Sequence, residues 1–344
     1  MKTPKAAGFR FPAEWQPHTS TWLSWPHNKD SWPGKIGKVY QPYSEFIKAV
    51  AQGELVNINV ADSKMEAFAK KCLAEVKADF NQIKFHHHPT NDAWCRDHGP
   101  SFVINANEKA IVNWRYNAWG GKYPPFDLDN QIPRLISEKL GLKLFEPEII
   151  MEGGSVEFNG EGVLLTTTSC LLNPNRNPDL NKAQIETKLK DYYGVNEIWW
   201  IGDGIIGDDT DGHIDDITRF VNRNTVVTVL EANESDENYQ PLAENLELLK
   251  SFKLPDGTPL NVVELPMPKS VVYDNQRLPA SYANFYIANS CVVVPTYGDQ
   301  HNDPMALEIL RSVFKDREVI GINSTDIVWG LGSFHCLSQQ EPEL

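Results

Sequence analysis

The sequence is short of basic residues, of cysteine and of long apolar runs. It sets 32 Lys and Arg against 46 Asp and Glu, a net charge of −14. Nucleic-acid binding needs clustered Lys and Arg to meet phosphates, so this balance argues against a nucleic-acid partner. An acidic balance leans instead toward small cationic ligands. No apolar stretch reaches the ~18 residues of a membrane-spanning helix, so no membrane partner is expected. Met1-Lys2-Thr3-Pro4-Lys5 has basic residues with no apolar segment behind them, which does not read as a secretory signal. The five cysteines are odd in number and show no short pairing pattern. They point to a reduced, cytoplasmic protein. Cys72, in an apolar-periodic helix, and Cys291, at the head of an apolar strand, read as core thiols.

What is present is an ordinary globular composition, 41% apolar and 23% charged. A length of 344 residues allows one large domain or two smaller ones. No linker, low-complexity tract or charge block divides the chain, so residues 1–344 are expected to form a single catalytic domain. Homo-oligomerisation is left open.

A unit recurs every roughly 50 to 70 residues, the length of one supersecondary element. It comprises a short apolar strand, a polar loop, an amphipathic helix and a second strand. The units run from 110–114 to 148–151, from 162–166 to 197–200, from 225–229 to 261–264 and from 291–294 to 318–320. Ile132, Leu135, Ile136 and Leu140 share helical spacing, as do Leu307, Leu310, Val313 and Phe314, with Pro304 suited to a first turn. Runs of Val, Ile and Trp support buried strands. A further strand precedes each unit, at 101–104, 155–158, 217–221 and 284–287. The last such strand, 334–337, is expected to pair with 21–25, which leads into a helix at 40–51 and a strand at 55–58. Five ββαβ units then close a ring, with one extra helix and strand over 63–87. The expected fold is α/β, a five-bladed propeller around a central cavity.

Cys336 lies in Gly330-Leu331-Gly332-Ser333-Phe334-His335-Cys336. Glycine lets backbone approach a ligand closely, so a thiol beside such a turn can be presented to one. Asp97, Glu152, His213, Asp215 and Cys336 all fall in the same kind of connection, between one unit and the next hairpin. In a ring those connections meet at one end of the axis. A guanidinium keeps its charge and offers a planar fork of donors, which carboxylates match. Asp97 and Asp215 are the candidates to hold it, although a lone Asp reads as easily as a turn cap. A Cys thiolate can attack the guanidine carbon, and the bound cation favours that thiolate. His213 can protonate the departing ammonia and then activate water. Glu152 either orients His213 or takes a guanidinium donor. Trp94 and Trp119 can stack on a flat cation, or serve only as core aromatics.

Two metal signals fail. Alternation along a strand puts His86 and His88 on one face, but no Cys or acidic residue stands at ligand spacing. Asp209-Thr210-Asp211-Gly212 resembles the middle of a calcium loop, yet Gly207 and Thr218 occupy its end positions. No metal or cofactor is expected.

The segments Asn91-Asp92-Ala93-Trp94-Cys95-Arg96-Asp97-His98-Gly99-Pro100, Asn117-Ala118-Trp119-Gly120-Gly121, Glu152-Gly153-Gly154-Ser155, Leu172-Asn173-Pro174-Asn175-Arg176-Asn177-Pro178, Asp209-Thr210-Asp211-Gly212-His213-Ile214-Asp215 and His335-Cys336-Leu337-Ser338-Gln339-Gln340 carry a resemblance. In this order they resemble the agmatine deiminase and bacterial-type peptidylarginine deiminase family of the guanidine-modifying superfamily, over nearly the whole chain. The resemblance implies a five-bladed α/β propeller. It implies Cys336 as nucleophile, His213 as general acid/base, Asp97 and Asp215 as guanidinium clamps and Glu152 as a further active-site carboxylate. The implied reaction turns agmatine and water into N-carbamoylputrescine and ammonia through a covalent thiouronium, without metal or organic cofactor. Trp94 and Trp119 would line the aliphatic stem. The alternatives are conversion of protein arginine to citrulline, with Arg96 or Arg176 holding the peptide backbone, an amidinotransferase, and a non-catalytic guanidine-binding protein. Leu331 and Ser333 depart from the usual three glycines and Asn, and Ser338 stands where Thr is usual. These departures leave the chemistry intact and bear on the substrate.

Overall fold

The computed structural model describes residues 2–344. Among them the strands form five mixed sheets and one small hairpin, Val272–Tyr273 with Gln276–Arg277. One sheet joins Ser101–Ile104, Lys109–Val112 and Lys143–Phe145, and the next joins Val156–Phe158, Val163–Thr167 and Glu197–Ile201. Two more join Thr218–Asn222, Thr225–Leu230 and Asn261–Pro266, and Tyr286–Ile287, Cys291–Thr296 and Glu318–Asn323. In every case the first two strands are antiparallel and the second and third are parallel. The remaining sheet draws on both ends of the chain. His18–Ser24 lies antiparallel to Ser338–Pro342 and parallel to Leu55–Val60, with Ile83–His87 outside.

Local chemistry explains these elements. Thr225–Leu230 is a β-branched run whose Val226, Val227 and Val229 are fully buried, as a strand covered on both faces requires. The helix Lys182–Tyr193 opens on a reciprocal Asn181–Gln184 capping box and ends at Gly194 with φ 71°. A β-carbon at Gly194 would stand 2.2 Å from the Phe9 carbonyl oxygen, so glycine is required there for space as well as for conformation.

Two expected strands are displaced. The parallel partner of Lys109–Val112 is Lys143–Phe145, and 148–151 contributes only a single bridge, Ile150 to Arg115. Pro147 and the left-handed Glu148 (φ 61°) break the extended run, while Ile149 and Met151 are buried from a loop. At the C-terminus, 334–337 is a turn and the strand is Ser338–Pro342. Its polar side chains are internally paired: Gln340 accepts from Arg96 at 2.8 Å, and Glu341 accepts from Lys109 at 2.8 Å and from Ser20 at 2.7 Å. A buried strand can thus look hydrophilic in sequence. Cys72 is half-buried on Ser63–Glu75, whose buried face is only Ala69 and Leu73, whereas Cys291 is in the core. Among the described residues no helix is long and apolar enough to cross a membrane.

Candidate active site

The short segments that precede the first strands carry the site. Asp97 lies on Cys95–His98 before Ser101–Ile104, and Glu152 caps Gly153–Ser155 before Val156–Phe158. His213 and Asp215 flank Ile214 before Thr218–Asn222, and Cys336 lies in the turn before Ser338–Pro342. All five are buried, with exposures from 0% for Glu152 and Asp215 to 6% for Asp97 and Cys336.

They converge. The Asp215 carboxyl stands 3.5 Å from Cys336 Sγ through Oδ2 and 4.0 Å from His213 Nδ1 through Oδ1. His213 Nδ1 lies 3.8 Å from Asp97 Oδ1. Glu152, His213 and Cys170 bring polar atoms within 4.8 Å of one another, and Asp215, Asp216 and Cys336 do the same. Gly154 makes this closeness possible. Its N–H donates to Asp97 Oδ1 at 2.9 Å. A β-carbon there would sit 2.6 Å from His213 Nδ1 and 3.0 Å from both Asp215 Oδ2 and Asp97 Oδ1. Gly154→Ala is therefore expected to lower turnover by at least about 100-fold, the cost of roughly 1 Å of misplacement at a reacting centre. Circular dichroism should show the fold retained; turnover within twofold of wild type would contradict the crowding.

Partners leave a specific set of acceptors free. Asp97 Oδ2 accepts from Trp119 Nε1 at 2.9 Å. Glu152 Oε1 accepts from Arg176 Nε at 2.6 Å, and Asp215 Oδ2 is bonded to His335 Nδ1 at 2.6 Å. Glu152 Oε2, Asp215 Oδ1 and both His213 nitrogens are buried with no hydrogen-bond partner in the protein. Buried polar atoms are costly unless something pairs with them. A planar, multidentate N–H donor supplies what the two carboxylate oxygens and the acceptor nitrogen of the neutral ring lack.

Burial dominates the electrostatics. It pushes the Cys336 thiol well up, and the carboxylates of Asp215, Asp216 and Asp97 push it further. Burial, with Asp215 and Glu152 beside it, also raises Asp97 well above the usual carboxylate range. Glu152 is raised because burial outweighs the Arg176 charge. Asp215 moves the other way. Burial opposes ionisation, but the His335 hydrogen bond and the charges of His335 and Arg219 hold it below the usual range. His213 is pulled down to about 3 by burial, against the attraction of Asp215, so its contacts with Asp97 and Asp215 are those of a neutral ring.

Cys336 and Asp97 open onto a cavity of about 860 Å³, whose wall includes Trp94, Trp119 and Leu331. A β-carbon at Gly332 would meet Trp94 at 2.7 Å and Cys336 Sγ at 3.2 Å, the close approach expected of the turn. Ala118 and Trp119 both adopt positive φ, 50° and 55°, an uncommon backbone for non-glycine residues that recurs at functional sites.

Several partners were not singled out from the sequence. Asn284 donates to Cys336 Sγ at 2.9 Å and to Asp216 Oδ1 at 2.9 Å, and its own Oδ1 accepts from the N–H groups of His335 and Cys336. It precedes Tyr286–Ile287 as the other site residues precede their strands, so the repeat held the signal for it. Asp216 and His335 adjoin Asp215 and Cys336 in the chain. Arg96 and Arg176 are buried structural cations. Arg96 bonds Gln340 and the His335 carbonyl, and Arg176 bonds Glu152, Asp211, Asn175 and the Thr210 carbonyl. Neither lines the cavity where a substrate would lie, although Arg96 Nη2 has no hydrogen-bond partner.

The metal signals resolve into hydrogen bonds. His86 and His88 each meet an Asn of the neighbouring strand, Asn57 at 2.8 Å and Asn59 at 3.1 Å. In the Asp208–Gly212 loop the Asp208 carboxylate accepts from the N–H groups of Thr210, Gly212 and His213.

The chain is similar over its whole length to known proteins. Residues 10–342 match the Porphyromonas-type peptidyl-arginine deiminase family. A protein of Legionella pneumophila (strain Paris) is 38% identical over 344 residues, covering 99% of this chain and 97% of the relative. The solved agmatine deiminase of Enterococcus faecalis superposes with a TM-score of 0.94 at 33% identity, covering 100% of this chain and 98% of that one. A C. jejuni agmatine deiminase with substrate bound gives a TM-score of 0.88 at 36% identity, covering 97% and 96%. More distantly, a DDAH from Pseudomonas aeruginosa (12% identical, TM-score 0.51) shares the fold. Full-length similarity and the convergent Cys, His and carboxylates lead to one conclusion: the chain belongs to the Porphyromonas-type peptidyl-arginine deiminase family.

Proposed function

We propose that this protein is an agmatine deiminase. The observation that carries the reading is the group of unpartnered buried atoms, Glu152 Oε2, Asp215 Oδ1 and the His213 nitrogens, beside a thiol. They suit a guanidinium better than any neutral ligand. Asp97 and Asp215 clamp the cation, and its charge reverses the penalty on the Cys336 thiolate. The thiol proton passes to neutral His213. Sulfur then attacks the guanidine carbon, forming a C–S bond and a tetrahedral adduct. The His213 imidazolium protonates one nitrogen, the C–N bond breaks and ammonia leaves a cationic S-alkyl thiouronium. His213 next takes a proton from water as the oxygen adds. The C–S bond breaks with its electrons returning to sulfur, the hydroxyl proton passes to sulfur and restores the Cys336 thiol, His213 releases its proton to solvent, and N-carbamoylputrescine departs.

Agmatine is favoured over peptidyl arginine because neither Arg96 nor Arg176 lines the cavity, and by Asp92, Asp129 and Asp209 on the cavity wall. The agmatine deiminases among its structural relatives act as further support. The five sheets are proposed to be the blades of one α/β propeller, residues 1–344 one catalytic domain, with the site on its axis. The recurring strand order supports this, as does the sheet shared by both chain ends. The five free cysteines fit a reducing, cytoplasmic setting.

The test is a substrate screen with agmatine, free arginine and a blocked arginine peptide. Ammonia and N-carbamoylputrescine should form from agmatine without any acceptor amine. Ammonia from the peptide alone would overturn the substrate, and turnover only with an added amine would make the enzyme an amidinotransferase.

A further inference from the structure

Behind Asp215, away from the cavity, lies a buried cluster of Glu14, Arg96, Glu157, Arg219 and His335. Arg219 donates to Glu14 at 2.8 Å and to Glu157 at 3.1 Å, and Arg96 lies 3.6 Å from Glu14. The His335 ring joins this cluster to the site. Its Nδ1 is 2.6 Å from Asp215 Oδ2 and its Nε2 is 2.9 Å from Glu14 Oε2. A neutral imidazole has one N–H and one acceptor nitrogen. A ring that serves two ionised carboxylates must donate from both.

We propose that His335 is a positioning residue, an imidazolium held between Glu14 and Asp215 that keeps the Asp215 carboxylate ionised and turned toward the guanidinium. The charges support this. Three acids, Glu14, Glu157 and Asp215, face three bases, Arg96, Arg219 and His335, and the buried group balances when the ring is protonated. A buried charge without its counterion is costly. The geometry agrees, because His335 occupies Oδ2 and leaves Asp215 Oδ1 without a partner. The backbone also fixes the ring. The His335 N–H donates to Asn284 Oδ1 at 3.1 Å, and its carbonyl accepts from Arg96 Nε at 3.3 Å. Glu14, on the N-terminal segment, thus reaches the residue before the nucleophile, 321 positions later.

The inference rests on the deiminase reading for its kinetic consequence, but not for its structural one. In His335→Gln the cation is lost, and Asp215 remains buried near Asp216, with Asp97 across His213. Asp215 then binds a proton at higher pH, and a protonated carboxyl no longer holds a cation. The expected result is an acid limb of kcat/KM displaced upward by at least about one pH unit, with a KM for agmatine raised at least about tenfold on that limb and a smaller fall in kcat. Glu14→Gln should displace that limb in the same direction by less. Independently, nitrogen NMR of histidine-labelled wild-type protein should show one ring, the one perturbed by Glu14→Gln, carrying a proton on both nitrogens in the folded protein. A single proton on that ring overturns the proposal, whether or not agmatine is a substrate. So does a folded His335→Gln with unchanged KM and acid limb. Should His335→Gln not fold, the wild-type spectrum and the Glu14→Gln kinetics decide. Absence of ammonia from agmatine with a doubly protonated ring would sink the deiminase reading and leave this one standing.

Discussion

Cys336→Ala is expected to abolish ammonia release, with a loss of at least about 10⁴-fold in kcat, because water must then attack the cationic carbon directly. The fold should survive. The side chain is small and buried, and it gives up one hydrogen bond from Asn284 and a long contact to Asp215. Agmatine should still bind, since Asp97, Glu152 and Asp215 remain, and calorimetry can detect binding without turnover. The wild-type thiol carries a second signature. Burial and three carboxylates hold it protonated in the empty site, so alkylation by iodoacetamide should be slow at neutral pH. A small guanidinium that occupies the clamp without filling the cavity should accelerate it. Ammonia release by Cys336→Ala above about 1% of wild type would remove the covalent mechanism altogether.

Much of this site is legible in the sequence because the repeat is legible. The hairpin and crossover strands follow from runs such as Thr225–Leu230, and the helices from spacing such as Ile132, Leu135, Ile136 and Leu140. Once five similar units are seen, their connections become comparable positions. That comparability brings Asp97 and Cys336 together across 239 residues of chain, although each alone reads as a turn cap or a core thiol. The same reasoning could have reached Asn284 in the remaining connection. It was hidden because Asn there resembles any loop residue, and its role depends on facing a sulfur.

What stayed hidden has a common physical cause. Ser338–Pro342 reads as hydrophilic because its polar groups find partners only in distant segments, Ser20, Arg96 and Lys109. The cluster around Arg219 is equally silent. Glu14, Glu157 and Arg219 read as surface charges until the fold buries them together. Arg96 and Arg176 are hidden for the same reason, since an arginine near a site looks available until the fold buries it away from the cavity. Periodicity reports apolar burial well, and it says little about polar groups that pair inside the protein.

His213→Ala is expected to lower kcat by about 10³- to 10⁴-fold, the usual range for removing a general acid and base that acts in two steps. Its KM should change less, because the ring is neutral in the empty site and the cation is held by carboxylates. Stability should move with pH in a direction that identifies the buried ring. The native ring titrates at about 3, whereas an unfolded histidine titrates near 6.5. Below about pH 6.5 the unfolded chain therefore binds a proton that the folded chain does not, so this group costs nothing at neutral pH and destabilises progressively as pH falls. At pH 5 the cost is on the order of 2 kcal/mol, about 1.5 units at ~1.36 kcal/mol per unit. His213→Ala abolishes that share, and the fall in melting temperature between pH 7 and pH 5 should be smaller in the variant by a few degrees, the shift that roughly 1 to 2 kcal/mol produces in a chain of this size. Equal falls in both proteins would mean that the ring titrates in the native state as it does unfolded, and a smaller fall in wild type than in the variant would mean that the ring is already charged in the native state. It could not then accept the thiol proton, and the proposed order of proton transfers would have to be abandoned.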